Sequence, residues 1–274
     1  TRDLFCYANV PYKIKPYQDL LDDPHNTIDF DEATDELIEQ RVSQVGADGR
    51  LIWDKNGSVY YVNLTEKLLA TMLSKLSNFI PEGGIWMNTQ RPEWNDANNA
   101  LVGYGVSMVT LYYTRRYQQY LLDLFANTEL EEVAISEEID ALLRSINSTF
   151  EDNKQLLAGK INDADRKRVV DALGEAGGDF RSSVYDNDFS GNRVMLKTAD
   201  LIAFLNLSLE YIDHTIEANR REDGLYHAYN LMTAKDDSVE VNYLYEMLEG
   251  QVAVLSSGYL SPEQALEVLT SLRQ

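Results

Sequence analysis

From residue 63 onward, apolar residues recur at intervals of three and four, and this helical periodicity constrains the fold more than any other feature of the chain. Such spacing puts the apolar residues of a segment on one face, which must then pack against neighbouring elements. The pattern predicts helices over residues 63–80, 101–127, 136–153, 164–176, 197–221 and 239–256, and a last helix from Ser261 onward.

Capping signals set several of these boundaries. Asn63 with Glu66 resembles a capping box, and Ser261-Pro262-Glu263-Gln264 combines a serine cap, a first-turn proline and a glutamine at the third position. Gly177-Gly178 predicts the end of the helix that begins near residue 164.

The first 64 residues are irregular by comparison. Residues 32–44 predict one short helix, and two β-rich runs around Asp54-Lys55-Asn56-Gly57 predict a hairpin. We therefore divide the chain into an irregular segment with a β-hairpin (1–64) and a helical portion (65–274).

The predicted fold class is mainly α. About seven helices joined by loops suit an (α/α) hairpin toroid, or part of one, with functional loops at one end. A generic helical bundle fits the periodicity equally well.

Charge and residue usage exclude several classes of function. The chain has 274 residues and a net charge of −21, from 45 acidic and 24 basic residues, which disfavours binding to nucleic acid or to anionic membranes. Cys6 is the single cysteine, so no internal disulfide forms, and a cytoplasmic location is the simplest expectation. There is no apolar run of transmembrane length. The chain begins at Thr1, which raises the expectation that it is a fragment or a processed product.

No metal or cofactor is expected. The three histidines show no ligand spacing, and phosphate-binding glycine motifs are absent. Asp186-Asn187-Asp188 begins like a calcium loop, but its twelfth position is Lys197, which excludes an EF-hand and leaves open a looser divalent site at Asp186 and Asp188.

The segment 91–99 combines the side chains that a sugar-cleaving site requires. Trp94 offers an aromatic face, Asn95, Asn98 and Asn99 offer amides for hydroxyls, and Glu93 and Asp96 offer carboxyl groups. The alternative is an acidic helix N-terminus, with Asp96 or Asn98 as cap and Trp94 in the core.

A second candidate binding loop lies at 223–230. Tyr226, His227, Tyr229 and Asn230 supply rings and hydrogen-bonding groups suited to a sugar subsite. The alternative is a packed loop whose histidine hydrogen-bonds a backbone carbonyl.

Two stretches resemble the cellobiose-phosphorylase-type glycoside hydrolases and their large bacterial relatives. The first is Trp94-Asn95-Asp96-Ala97-Asn98-Asn99 followed by Gly105-Val106-Ser107 and a long aromatic-rich helix. The second is Ala253-Val254-Leu255-Ser256-Ser257-Gly258 followed by Pro262-Glu263-Gln264-Ala265. Together they cover about a third of the chain, in the family's order.

The resemblance implies an (α/α) six-hairpin toroid in which Asp96 is the general acid that protonates the glycosidic oxygen. That role requires a raised pKa for Asp96, from partial burial or from a neighbouring carboxylate such as Glu93. Trp94 would border a sugar ring. The carbohydrate substrate is the implied partner, together with the rest of a larger polypeptide.

The second catalytic group distinguishes the two enzymatic readings. Inverting hydrolysis needs a base about 6.5–9.5 Å from the acid, and Glu246, predicted to share a helix face with Glu249 and Tyr243, is the first choice. Its alternative is a solvated surface acid. Phosphorolysis needs phosphate instead, but Glu93 and Ala97 depart from the family's Asp and Gly, and its Thr-Gly phosphate segment is absent. A non-catalytic carbohydrate-binding or scaffolding segment is the third reading.

Overall fold

Helices form the framework of the protein, which a computed structural model describes over residues 2–89 and 100–273. The protein is mainly α-helical, as the periodicity predicts. The helices of this part of the chain are α1 (Tyr17–Asp22), α2 (Glu32–Val45), α3 (Leu64–Leu76), α4 (Met108–Ala126), α5 (Glu137–Asp152), α6 (Asp163–Asn187), α7 (Thr198–Ala218), α8 (Leu248–Ser256) and α9 (Pro262–Ser271).

An antiparallel sheet that the sequence does not predict lies among these helices. In the described residues it has five strands in the order β11-β10-β7-β6-β5. They are β5 (Phe79–Ile80), β6 (Gly84–Trp86), β7 (Gly105–Ser107), β10 (Tyr229–Ala234) and β11 (Val239–Tyr243). Strands β5, β6 and β7 lie between α3 and α4 in the chain, whereas β10 and β11 lie between α7 and α8. The sheet therefore connects the early helices to the late ones.

Shorter strands make two-stranded pairs. These are β1 (Phe5–Cys6) with β4 (Tyr61–Val62), β2 (Tyr12–Ile14) with β3 (Ile28–Phe30), and β8 (Glu132–Ser136) with β9 (Arg193–Lys197). The predicted hairpin is confirmed, because Trp53 bridges Val59 and the amide of Gly57 donates to Asp54 O at 3.0 Å.

The core has two parts, one on each face of the sheet. In the larger part, helices α3, α4, α5, α6 and α7 pack against one another. There the rings of Phe150 and Tyr211 stack with centroids 4.4 Å apart. The smaller part packs α1 and α6 on the opposite face, through Tyr17, Leu20, Trp86, Val106, Val170 and Met232. Within residues 2–89 and 100–273, no helix combines the length and apolarity needed to cross a membrane.

The predicted end of a helix at Gly177-Gly178 is wrong, because α6 continues to Asn187. Its glycines serve close packing. A Cβ at Gly174 would lie 2.1 Å from the ring of Tyr17, and one at Gly177 would lie 2.8 Å from Ser77 Cβ. The glycines therefore let α1 and the end of α3 approach the backbone of α6.

Two other predicted helices are too long. Residues 101–107 do not join the helix of 101–127, because Gly105–Ser107 form β7 and α4 begins at Met108. The helix predicted over 239–256 is strand β11 followed by a short connection and α8. In both places pairing within the sheet overrides the local pattern.

The capping signals are confirmed in part. At α9 the reciprocal capping box forms between Ser261 and Gln264. At α3 the side chain of Asn63 accepts from the amide of Glu66, but the carboxylate of Glu66 turns away to Ser136 and Arg193. That carboxylate is fully buried and joins α3 to β8 and β9.

The glycines of α6 give a matched pair of substitutions. We expect Gly174→Ala to lower the free energy of unfolding by about 1–3 kcal/mol, because the added methyl group overlaps the Tyr17 ring. Gly178→Ala should raise it by about 0.4–1 kcal/mol, because its nearest neighbour would lie at an ordinary 3.7 Å. Urea unfolding of both variants checks this, and equal effects would contradict the packing role.

Candidate functional site

The sequence segment with the strongest chemical signal, residues 90–99 with Glu93, Trp94, Asn95, Asp96, Asn98 and Asn99, lies outside the described residues. The described residues on either side of it are paired: Met87 N donates to Gly105 O at 2.9 Å and Gly103 N donates to Met87 O at 2.8 Å. Met87 therefore lies beside Gly103 and Gly105, and we call these flanking positions the loop stems.

The second stem leads through β7 into α4, a helix of the larger part of the core. Ser107 ends β7 and caps α4, its hydroxyl accepting from the amide of Thr110 at 3.0 Å. Gly103 has φ +100°, and a Cβ there would lie 2.9 Å from Pro24 O. Its glycine is required both by backbone conformation and by this close approach.

A small cavity that sequence reasoning missed lies beside the second stem. It has a volume of about 90 Å³ and is lined by Leu20, Leu21, Pro24, Tyr104, Met232, Thr233 and Ala234. The ring of Tyr104 is 49% exposed and meets His25 edge-on, with ring centroids 4.9 Å apart. In the sequence, this cavity is signalled only by an aromatic residue, Tyr104, between Gly103 and Gly105.

All four predicted residues of the second loop are part of the interior. Tyr226, Tyr229 and Asn230 are almost wholly buried. Tyr226 N donates to Gln251 Oε1 at 2.9 Å, and Gln251 Nε2 donates to Tyr226 O at 2.6 Å. Asn230 Nδ2 donates to Gly83 O. This placement fits the packed-loop alternative.

The fourth, His227, is also buried. Its ring stacks on Tyr243 with centroids 4.6 Å apart, and Nδ1 donates to Leu244 O at 2.9 Å. Burial lowers the pKa of His227, while the bond to Leu244 acts in the opposite direction. The bond to Leu244 O places a proton on Nδ1.

Glu246 does not occupy the predicted helix face. It lies in the connection between β11 and α8, whereas Tyr243 ends a strand. The side chain of Glu246 is 51% exposed and forms an ion pair with Arg221 at 3.2 Å. Arg221 also forms an ion pair with Asp223 at 2.8 Å. The structure thus matches the alternative of a solvated surface carboxylate.

The strand register separates these groups from the loop stems. Ser107 pairs with Tyr229, and Gly105 pairs with Leu231. His227 precedes Tyr229, and the connection that contains Glu246 follows Tyr243. Both therefore lie at one end of the strands. The stems lie beyond Gly105, at the other end. The two predicted clusters therefore attach to opposite ends of the sheet.

The most deeply buried ion pair joins Glu82 and Arg166, and sequence reasoning missed it. The atoms Oε2 and Nη2 are 2.8 Å apart, and both side chains are less than 5% exposed. All five N–H groups of Arg166 have acceptors, which are Pro81 O, Glu82 Oε2, Ile161 O, Asp163 Oδ1 and Val239 O. Every donor is used within the fold, so this pair is structural.

In the described part of the chain, no group of three or more His, Cys, Asp or Glu side chains is arranged to hold a metal ion. Asp186 belongs to the last turn of α6 and Asp188 caps its end.

Comparison with known proteins adds no identity. No family model matches the chain, and no curated protein matches it either.

The buried histidine predicts a pH dependence of stability. The pKa of His227 is lower in the folded protein than its usual value of about 6.5. Below that usual value the unfolded chain therefore binds more protons than the folded one. The stability that the neutral imidazole contributes is present above the unfolded pKa and is lost as the pH falls from there through the lower folded pKa.

We expect the urea midpoint to fall between pH 7 and pH 5, and to fall less in His227→Asn, which keeps a donor for Leu244 O. The exposed His25→Asn variant is the control and should behave as the wild type. An unchanged slope in His227→Asn would contradict the assignment.

Proposed function

We propose that this chain is part of a glycoside-active enzyme in which Asp96 is the general acid. The observation that carries the proposal is the pairing of the loop stems, Met87 with Gly103 and Gly105, where the adjacent strands β6 and β7 end and begin. Flanking residues fixed in this way favour a catalytic group between them, because a catalytic group needs restraint and small displacements cost much of the rate.

The context of the loop supports the same proposal. The resemblance to cellobiose-phosphorylase-type enzymes requires a Gly-x-Ser segment that opens a long helix. Gly105 and Ser107 occur at that point, and Ser107 caps α4. We extend the proposal to the fold: the packed pairs α4 with α7 and α5 with α6 belong to an (α/α) toroid in a cytoplasmic enzyme.

Exposed apolar residues support a larger assembly. On α8, Leu248 and Val252 lie one turn apart and are both exposed, as are Leu266 and Leu269 on α9. A toroid completed by other parts of a longer polypeptide would cover such residues. The proposed partners are therefore a neutral glucoside or oligosaccharide and the rest of that polypeptide.

The proposed reaction is inverting hydrolysis, with phosphorolysis as the second enzymatic option. In both, Asp96 donates its proton to the leaving oxygen as the glycosidic bond breaks. Water attacks the anomeric carbon in hydrolysis, and phosphate attacks it in phosphorolysis. Dependence of sugar release on phosphate separates the two.

A non-catalytic carbohydrate-binding or scaffolding segment is the alternative from another class. It is favoured by the pairing of Glu246 with Arg221 at the end of the sheet away from the loop stems, which leaves Glu246 unavailable as a second carboxylate there. This candidate predicts binding of glucosides without turnover.

Substitution of the acid tests the proposal. We expect Asp96→Asn to reduce release of sugar from α- or β-glucosides by roughly 10²–10⁴-fold, because the amide cannot donate the catalytic proton. Assays with and without phosphate give the reaction type. Asp236→Asn, at an exposed carboxylate, is the matched control. Retained turnover in Asp96→Asn would remove Asp96 from the role.

The second carboxylate has a separate test. We expect Glu246→Gln to keep activity within about threefold, because an exposed ion pair contributes little. Glu249→Gln, at the neighbouring exposed carboxylate, is the control. A selective loss of about 100-fold or more in Glu246→Gln would restore Glu246 as the base.

A further inference from the structure

Arg181 of α6 carries a positive charge that the fold leaves without a partner. Its Nε is shielded from solvent and has no hydrogen bond, and among the described residues no carboxylate forms an ion pair with it. The buried arginines Arg115 and Arg166 differ, because they pair with Asp213 and Glu82. In a chain with 45 acidic residues, the lack of a carboxylate partner requires an explanation.

Burial of this guanidinium is costly for the folded protein. Desolvation lowers the pKa of Arg181, and the coulombic effect of Tyr185 opposes it only in part. Nearby hydroxyl groups donate elsewhere: that of Ser77 to Ser74 O, and that of Tyr17 to Asp171. Among the described residues, no hydrogen bond or ion pair therefore compensates Arg181 Nε for its lost hydration.

The sequence makes room for the guanidinium with two glycines. A Cβ at Gly177 would lie 3.3 Å from Arg181 Nη1, and one at Gly178 would lie 4.0 Å from Nη2. The side chain folds back over this bare stretch of helix. Ser77 and Tyr17 border the same space from α3 and α1. The residue keeps partial exposure, so its outer edge is open to a ligand.

The path of α6 brings Arg181 to the end of the sheet that bears the loop stems. The helix runs beside β5, from Arg166 at Pro81 to Gly177 at Ser77. Asn78, which follows Ser77, accepts from Trp86 N and from Asn88 Nδ2 at the start of the first stem. Arg181 lies one turn beyond Gly177, in the same direction.

We propose that Arg181 binds an oxyanion of a ligand, a carboxylate or a phosphate group, at the edge of its guanidinium that stays open to solvent, next to Gly177 and Gly178. A guanidinium presents parallel N–H groups that match either oxyanion. The anion would supply the negative charge that the described part of the fold does not. The inference goes beyond sugar cleavage, because it concerns binding and holds whether or not Asp96 is a catalyst.

Thermal unfolding with defined anions tests the proposal. Inorganic phosphate, sodium glucuronate and, as neutral control, glucose are compared at ionic strength matched with sodium chloride. We expect phosphate or glucuronate to raise the wild-type Tm, and Arg181→Met to lose that rise. Arg181→Lys, which keeps the charge without the fork, should bind the same anion at least tenfold more weakly by titration. General stabilisation by phosphate appears in every variant and is subtracted.

The variants also separate binding from a structural role. Without added anion, Arg181→Met should unfold at or above the wild-type temperature, because it removes a partly buried charge that no described carboxylate pairs with. Arg166→Met is the contrast and should lose about 6 °C or more. A response to phosphate alone identifies a phosphate ligand, and one to glucuronate identifies a carboxylate. No wild-type response, an equal response in Arg181→Met, or a loss of Tm like that of Arg166→Met would overturn the proposal.

Discussion

The buried ion pair of Glu82 and Arg166 holds together elements that are far apart in the chain. Glu82 N donates to Thr215, its carbonyl accepts from Asn219, and its carboxylate accepts from Ile161 N and Arg166. Glu82 has φ +59°, an unfavourable conformation for a residue with a side chain, and these four bonds fix it. Removing either charge would leave the other buried alone, at a cost of roughly 3–5 kcal/mol. The sheet, α6 and α7 therefore depend on one another through this pair.

That arrangement gives the two ends of the sheet different roles. At the Glu82 turn the backbone and carboxylate of Glu82 and all five N–H groups of Arg166 have partners within the fold, so this pair closes that end. At the opposite end the loop stems leave the sheet, Tyr104 is exposed and Arg181 has no ion-pair partner among the described residues. Unsatisfied and exposed groups are the ones that remain able to contact a ligand. The separation of the two ends also explains why Glu246, anchored near the closed end, contributes little to a site at the stems.

The helices could be predicted from the sequence because their signal is local, whereas the sheet could not. Strands β5 and β7 have two and three residues, too short to show alternation, and their partners are distant in sequence. In β11 the alternation of Val239, Val241 and Tyr243 was visible, but it was outweighed by the helical pattern that follows. Gly177-Gly178 predicted a helix end because a sequence does not reveal which backbone must be approached. Likewise, the pattern of Tyr226, His227, Tyr229 and Asn230 favours a subsite, but a sequence does not show that these four residues are buried.

The charge of the chain limits how an anion could bind to it. A net charge of −21 repels anions at long range, but in physiological salt this effect is screened beyond about 8 Å. Attraction must then come from a single cation at short range, in surroundings where water competes poorly. Arg181 meets that condition, because its partial burial strengthens the interaction with an anion that reaches it, and no carboxylate of the described residues pairs with it. A ligand suited to this site is therefore neutral over most of its surface and carries its negative charge on one group.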